Sequence, residues 1–164
     1  MPTKSEIYQL IAELDADMES LAGLEEQNEK AVGRIQAGAT DELDYAALGY
    51  TIHNLYSLLE NYALRIAKAF ENTLSDPGWH RELVHRMTLH IPETRPQVWS
   101  RELGRHIEEL RRFRHAFRHI YDTPLDERKL MLAQEHVAPA VEGAKEAHRA
   151  FLETLHHFAS ELEE

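Results

Sequence analysis

Arginine and histidine are concentrated in one short stretch of this sequence. The candidate site residues in it are Arg111, Arg114, His115, Arg118 and His119. The planar guanidinium of arginine makes forked hydrogen bonds to phosphate oxygens, which a lysine cannot do. These residue types at this density therefore predict a surface that binds a negatively charged ligand.

A predicted helix over about 97–121 positions this stretch. At ~100° per residue, one side of the helix is an apolar stripe. The stripe consists of Leu110, Phe113, Phe117 and Ile120. The neighbouring arc carries, in order, Tyr121, Arg114, Arg118, Arg111, Asp122, His115 and His119. This arc contains no Lys and no Glu, the residues that usually make a surface soluble. We expect the stripe to be buried and the arc to face an anion, with a solvated charged face as the alternative.

The charge of the whole chain makes this region stand out. The net charge is −11, which argues against a protein that coats nucleic acid along its length. Residues 81–118 nevertheless contain nine Arg against five Glu, a local charge of +4. Six of the eleven His lie between positions 80 and 119. An acidic chain with one basic, histidine-rich segment again points to this segment as the anion site.

Helical periodicity dominates the rest of the sequence. Apolar residues at three- and four-residue steps predict helices over about 5–36, 42–73, 79–90, 97–121 and 125–164. Ser5 is the expected N-cap of the first helix and Thr40 or Asp41 that of the second, while Pro139 should kink the last one. No segment alternates like a strand. The prediction is an all-α fold, an antiparallel bundle of four long helices plus a short helix, with 1–164 as a single domain.

The motif and its context resemble a known family. Arg114, His119 and Tyr121 form the pattern R-x₄-H-x-Y. Four further segments carry the same resemblance. They are His53-Asn54-Leu55-Tyr56 with Glu60-Asn61, Trp79-His80-Arg81-Glu82-Leu83, Arg95-Pro96, and Leu125-Asp126 after the motif. Together they resemble the HepT toxins within the HEPN ribonucleases, over roughly 48–130. The first helix, within 1–40, lies outside this resemblance, and His115 stands where many HepT proteins have Asn.

The resemblance implies a HEPN-like fold and a metal-independent endoribonuclease that needs no cofactor. In this chemistry the 2′-hydroxyl of RNA attacks the adjacent phosphorus and leaves a 2′,3′-cyclic phosphate. His119 would transfer protons, since histidine titrates near neutral pH. Arg114 would stabilise charge on the phosphoryl oxygens. His115, Arg118 and Arg111 would support them, His115 by orienting the substrate.

Two partners besides RNA follow from the resemblance. On a straight helix Arg114 and His119 are ~140° apart. HEPN proteins are similar in being homodimers in which two motif helices line one cleft, so His119 of one protomer would work beside Arg114 of the other.

HepT toxins also pair with a minimal nucleotidyltransferase antitoxin that transfers AMP to a tyrosine. Tyr121 is the expected site here, and a boundary aromatic with its hydroxyl in water is the alternative.

Several other classes of function are less well supported by the sequence. There is no Cys, no signal-like N-terminus and no apolar run of about 18 residues, so we expect a cytoplasmic protein without disulfides or membrane spans. Glu82-x-x-His85 and Glu153-x-x-His156 have the spacing of di-iron ligands, with Glu60 as a further candidate. We expect no metal site, since such pairs arise by chance at this composition. A catalytically inactive HEPN-like partner of a nucleotidyltransferase and a purely structural bundle stay open as alternatives.

Overall fold

Helices account for nearly all of the regular structure. The computed structural model describes residues 1–71, 79–120 and 124–162. Within these ranges it contains six helices: α1 (Lys4–Gln36), α2 (Glu42–Phe70), α3 (Trp79–Met87), α4 (Arg101–Phe117), α5 (Glu127–Gln134) and α6 (Val137–Glu161). In the same ranges the β-structure is limited to one isolated bridge between Ile91 and Arg95. The predicted all-α, HEPN-like bundle is confirmed.

α1 and α2 form an antiparallel hairpin. α1 begins after Thr3, not at the predicted Ser5, because Thr3 and Glu6 cap each other reciprocally in a capping box. Asp41 caps α2, which is one of the two predicted caps. Three contacts then join the helices in antiparallel order: Arg34 with Asp44, Asn28 with Thr51, and Asp17 with Arg65.

α6 and α4 complete the bundle. Both ring nitrogens of His148 on α6 form hydrogen bonds 2.9 Å long. Nε2 bonds to Asp15 of α1, and Nδ1 to the Tyr62 hydroxyl of α2. α4 packs on α2 and on α6. α2 lies at the centre, with contacts to α1, α3, α4 and α5, as its apolar sequence predicts. No helix in the described ranges is long and apolar enough to cross a membrane.

The last predicted helix is two helices, so the prediction of one helix kinked at Pro139 is wrong. The chain breaks at Glu135 and His136, between α5 and α6. Pro139 consequently lies in the first turn of α6, where a backbone N–H has no partner within the helix. The proline is thus accommodated at a helix start, and the break between α5 and α6 includes Glu135, whose carbonyl an N–H at position 139 would have bonded.

α4 is shorter at both ends than predicted. Ser100 caps it through a hydrogen bond from the Leu103 N–H, and the preceding Val98 and Trp99 lie outside the helix, with both N–H groups donating to the Met87 carbonyl. The helix ends at Phe117, not at 121. Two of the predicted boundaries elsewhere also move inward, because α2 ends at Phe70 and α3 at Met87.

Candidate active site

Phe117 fixes the end of α4 against α2. Its ring lies over Gly49, where an added Cβ atom would come within 2.6 Å of Phe117 Cε2, and its centroid is 6.0 Å from that of His53. Glycine at position 49 therefore permits a closer approach of the two helices than any other residue would. The ring of Phe113 stacks on that of Phe117 at 5.6 Å and continues the buried stripe.

Arg114 lies on an aromatic ring instead of a carboxylate. Its guanidinium carbon is 5.5 Å from the centroid of the Tyr56 ring, within the range of a cation–π contact. The side chain is half-buried, and its Nε is buried without a hydrogen-bond partner. Among the described residues no carboxylate forms an ion pair with Arg114. The contact with Tyr56 positions the cation and leaves its charge available to a ligand.

Glu60 acts on this arrangement through Tyr56. The Tyr56 hydroxyl donates a 2.9 Å hydrogen bond to Glu60 Oε2, and the tyrosine is completely buried. Burial, reinforced by the charge of Glu60 and by this bond, raises the pKa of Tyr56 far above its ordinary value. The hydroxyl therefore stays protonated as a donor. His80 Nδ1 lies 3.7 Å from the same carboxylate oxygen, which links α3 to this network.

His53 is a histidine held among cations. Its Nδ1 is buried and has no hydrogen-bond partner within the described ranges. Burial lowers the pKa of His53, and the charges of Arg114 and Arg118 lower it further, against a smaller opposing effect of Glu60. The imidazole is therefore favoured in its neutral form beside the motif arginine.

The sequence patterns did not identify His53 and Tyr56 as site residues. A signal was present, because the side chains of His53, Tyr56 and Glu60 all carry polar groups and follow one another at steps of three and four residues in α2. That spacing places them on one face of α2. What the spacing could not reveal is that this face meets Arg114 of α4.

His115, Arg118 and His119 are exposed, as the helical periodicity predicted. The rings of His115 and His119 lie edge to face with centroids 5.5 Å apart. His119, however, follows the end of the helix: its N–H donates to the Ala116 carbonyl, and the Ile120 N–H to that of Phe117. These three-residue steps are typical of a tightened turn. The motif therefore spans a helix end, with Arg114 on α4 and His119 on the turn.

The expected absence of Glu from the cationic face is wrong. Arg111 donates to both carboxylate oxygens of Glu108, at 2.9 Å from Nε and 2.7 Å from Nη2. These bonds raise the pKa of Arg111. Arg112 pairs with Glu109 as well. A forked pair of this kind already occupies the guanidinium, so Arg111 is less available to a phosphate than Arg114 or Arg118.

Residues 47–159 match the family described as HepT-like protein, which is well over half of the chain. The chain belongs to the HepT-like family. This confirms the resemblance predicted from the sequence. Searches of the curated proteins and of the solved structures found no match. The matched region begins in α2 and ends in α6, so it contains the whole α2–α4 contact of this HepT-like chain, whereas α1 lies before it.

Two further predictions concern parts of the HepT-like chain away from Arg114. Tyr121 lies outside the residues that the structure describes. The di-iron alternative gains no support, because Glu82, His85, Glu153 and His156 are all exposed, on two separate helices. A di-iron site in a bundle requires ligands that point inward from facing helices. In the described part of the chain no three His, Asp or Glu side chains gather as metal ligands would.

Proposed function

We propose that this HepT-like protein is a metal-independent endoribonuclease, the toxin of a HEPN and minimal-nucleotidyltransferase pair acting in the cytoplasm. The observation that supports this best is the setting of Arg114. A half-buried arginine that rests on Tyr56, and that no described carboxylate neutralises, is suited to a ligand's negative charge. The exposed His115, Arg118 and His119 adjoin it along the chain.

In the proposed reaction, the RNA 2′-hydroxyl gives up its proton and its oxygen bonds to the adjacent phosphorus. The bond from phosphorus to the 5′-oxygen breaks, and that oxygen leaves with a proton, so the products are a 2′,3′-cyclic phosphate and a 5′-hydroxyl. His119 is the group that moves protons. Arg114 stabilises the extra negative charge on the non-bridging oxygens in the transition state. His115 and Arg118 hold the phosphate next to them.

The reaction is tested directly with purified protein and labelled RNA. We expect the wild type to cleave the RNA in the presence of EDTA and to leave cyclic phosphate ends. Arg114→Ala and His119→Ala should each lose about 10²–10³-fold in rate, and each should abolish growth inhibition on expression. A properly folded wild-type dimer that cuts no RNA and harms no host would sink the proposal in favour of an inactive HEPN-like partner.

We further propose that the active site is shared between two protomers. Arg114 is anchored against α2, whereas His119 projects from an exposed turn beyond the end of α4. A heterodimer of Arg114→Ala and His119→Ala protomers then contains one intact composite site. Mixing the two inactive variants should restore about a quarter of the wild-type activity, since half the dimers are mixed and each has one site of two. If each site lies within one protomer, mixing restores nothing.

The proposed antitoxin would act on Tyr121. Transfer of AMP to the phenolic oxygen would place an anionic group two residues from His119 and repel RNA. Incubation with a cognate nucleotidyltransferase and ATP should add the mass of AMP and stop cleavage. Tyr121→Phe should neither gain mass nor lose activity under the same conditions. Mass gain on another residue would remove Tyr121 from this role.

A further inference from the structure

A second cationic feature lies away from Arg114, in a groove between α3 and α4. The groove has a volume of about 930 Å³, and His136, which directly precedes α6, also lines it. Arg81 from α3 and Arg101 and Arg105 from α4 line it. The two helices approach closely here, because Gly104 faces Thr88 with no room for a side chain: an added Cβ would be 2.6 Å from Thr88 Cγ2.

The arginines of the groove differ in how far they are neutralised. Arg112 is paired with Glu109 and also lies 3.7 Å from Glu108. Arg81, Arg101 and Arg105 are exposed, and no carboxylate among the described residues forms an ion pair with any of them. Glu102 also lines the groove. The groove therefore has three guanidinium groups without an ion pair among the described residues, against one such carboxylate, that of Glu102.

The groove is aligned with the motif. Arg101, Arg105, Glu108, Arg112, His115 and His119 follow one another at steps of four, three, four, three and four residues. This spacing places the first five of these residues, from Arg101 to His115, in one row along the outer face of α4. At 1.5 Å per residue the row is about 21 Å long between Arg101 and His115. A chain of phosphates that lies in the groove can therefore continue along this face to His115, one turn before His119.

We propose that this groove binds the phosphate backbone of the single-stranded RNA that enters the active site, without reading its sequence. The assignment of RNA as the ligand rests on the proposed function. Because the whole chain carries −11, its long-range field repels RNA, and a local cationic track is needed to hold the strand. Arginine provides this track with forked contacts to phosphate oxygens. Among the described residues no Phe, Tyr or Trp lines the groove, so His85, His106 and His136 are its only rings on which a base could stack.

The test uses the His119→Ala protein, so that the RNA stays intact, and fluorescein-labelled oligouridylates of four and sixteen nucleotides. Arg101→Gln/Arg105→Gln should weaken binding of the 16-mer about tenfold and reduce the slope of log Kd against log salt by about 1.4, for two lost phosphate contacts. Binding of the 4-mer should change by less than about threefold, since it is too short to reach both the motif and the groove. Circular dichroism checks that both variants are folded.

A matched control removes two positive charges elsewhere. Lys68 and Arg149 are exposed on α2 and α6 and do not line the groove. Lys68→Gln/Arg149→Gln should leave the 16-mer affinity within about twofold. If the groove and control variants bind the 16-mer equally, the groove is not the binding track; if the 4-mer loses as much as the 16-mer, the short RNA binds in the groove itself.

This outcome is independent of cleavage. If the wild type binds RNA through the groove but does not cut it, the ribonuclease proposal fails and the groove stands. If the wild type cuts RNA while the groove substitutions leave affinity and salt slope unchanged, the ribonuclease stands and the groove proposal fails.

Discussion

Arg95 and Arg114 are both held inside this bundle, but by different partners. Arg95 is 2% exposed, and its Nη2 donates to Glu71 Oε1 at 2.8 Å and to the Arg86 carbonyl at 2.9 Å. Its Nη1 donates to the carbonyls of Leu89 and Pro96. This guanidinium ties the end of α2 to the loop after α3, and most of its donors are used within the fold.

Arg114 is held by an aromatic ring and not by an opposite charge. The guanidinium of Arg114 lies over the face of the Tyr56 ring, and no described carboxylate forms an ion pair with Arg114. An aromatic face positions a cation at a modest gain of about 0.5–2 kcal/mol without neutralising it. A buried carboxylate would fix the arginine more firmly and take away its capacity for a phosphate. The difference separates an arginine whose donors are used within the fold from one whose charge is left for the proposed ligand.

The largest effect on stability is expected for substitution of Arg95. Arg95→Met leaves the carboxylate of Glu71, which is 7% exposed, without its closest cation. Breaking a buried pair in this way should lower the free energy of unfolding by about 3–5 kcal/mol, measured by urea denaturation. Arg149→Met, on the exposed face of α6, is the control and should change it by less than about 0.5 kcal/mol.

A double variant sharpens this prediction. Arg95→Met/Glu71→Leu removes both charges, so it should be more stable than Arg95→Met alone. An additive loss in the double variant would mean that the two side chains do not depend on each other, and that Arg86, 3.5 Å from Glu71, satisfies the carboxylate by itself.

Arg114→Ala should show the reverse pattern. We expect RNA cleavage to fall by about 10²–10³-fold, equivalent to about 2.7–4 kcal/mol of transition-state stabilisation. The free energy of unfolding should change by less than about 1 kcal/mol, because no ion pair is broken. Arg114→Lys should restore little, since an ammonium lacks the planar fork. A large loss of stability with unchanged cleavage would place Arg114 with Arg95 as a structural residue.

Tyr56 separates the two parts of the Arg114 support. Tyr56→Phe keeps the ring and removes the hydrogen bond to Glu60, which should lower stability by about 1 kcal/mol and leave cleavage within about threefold. Tyr56→Leu removes the ring and should lower kcat/KM about tenfold, as expected for loss of a cation–π contact. Equal activity of the two variants would mean that the aromatic face does not position Arg114.

The smallest effect concerns the titration of His53. Its pKa is lowered in the fold, so below about pH 6.5 the unfolded chain takes up this proton more readily, and the free energy of unfolding decreases as the pH falls. Because Arg114 contributes to the shift, Arg114→Gln should raise the pKa of His53, as followed by NMR. Arg95→Met should leave it unchanged. An unchanged pKa in Arg114→Gln would show that burial alone sets it.

Local sequence patterns predicted the helices well and their ends less well. The apolar periodicity of 5–36 identified α1, but the choice between Ser5 and Thr3 as its cap depends on which side chain meets Glu6. Pro139 signals a helix break, yet a proline is compatible both with a kink and with a first turn. Only the packing of α5 and α6 decides between them.

The candidate site was predictable on α4 and not on α2. Arg114 and His119 belong to a motif within one stretch of sequence, so spacing reveals them. His53 and Tyr56 become site residues through contacts with residues about 60 positions away, which requires knowledge of how α2 and α4 are aligned. The pairing of Arg111 with Glu108 depends on the rotamers of both side chains, which helical periodicity does not specify.

Phe117 restrains Arg114 more strongly than His119. Its contact with Gly49 ties the last turn of α4 to the centre of the bundle, so the backbone at Arg114 can be displaced only when α2 and α4 separate. His119 comes two residues later, on a turn held by short-range backbone hydrogen bonds. That turn can open at a free energy far below that of global unfolding, as chain segments with few buried contacts do. In the proposed ribonuclease, the loss of this single turn would remove His119 from the site while the bundle stays folded.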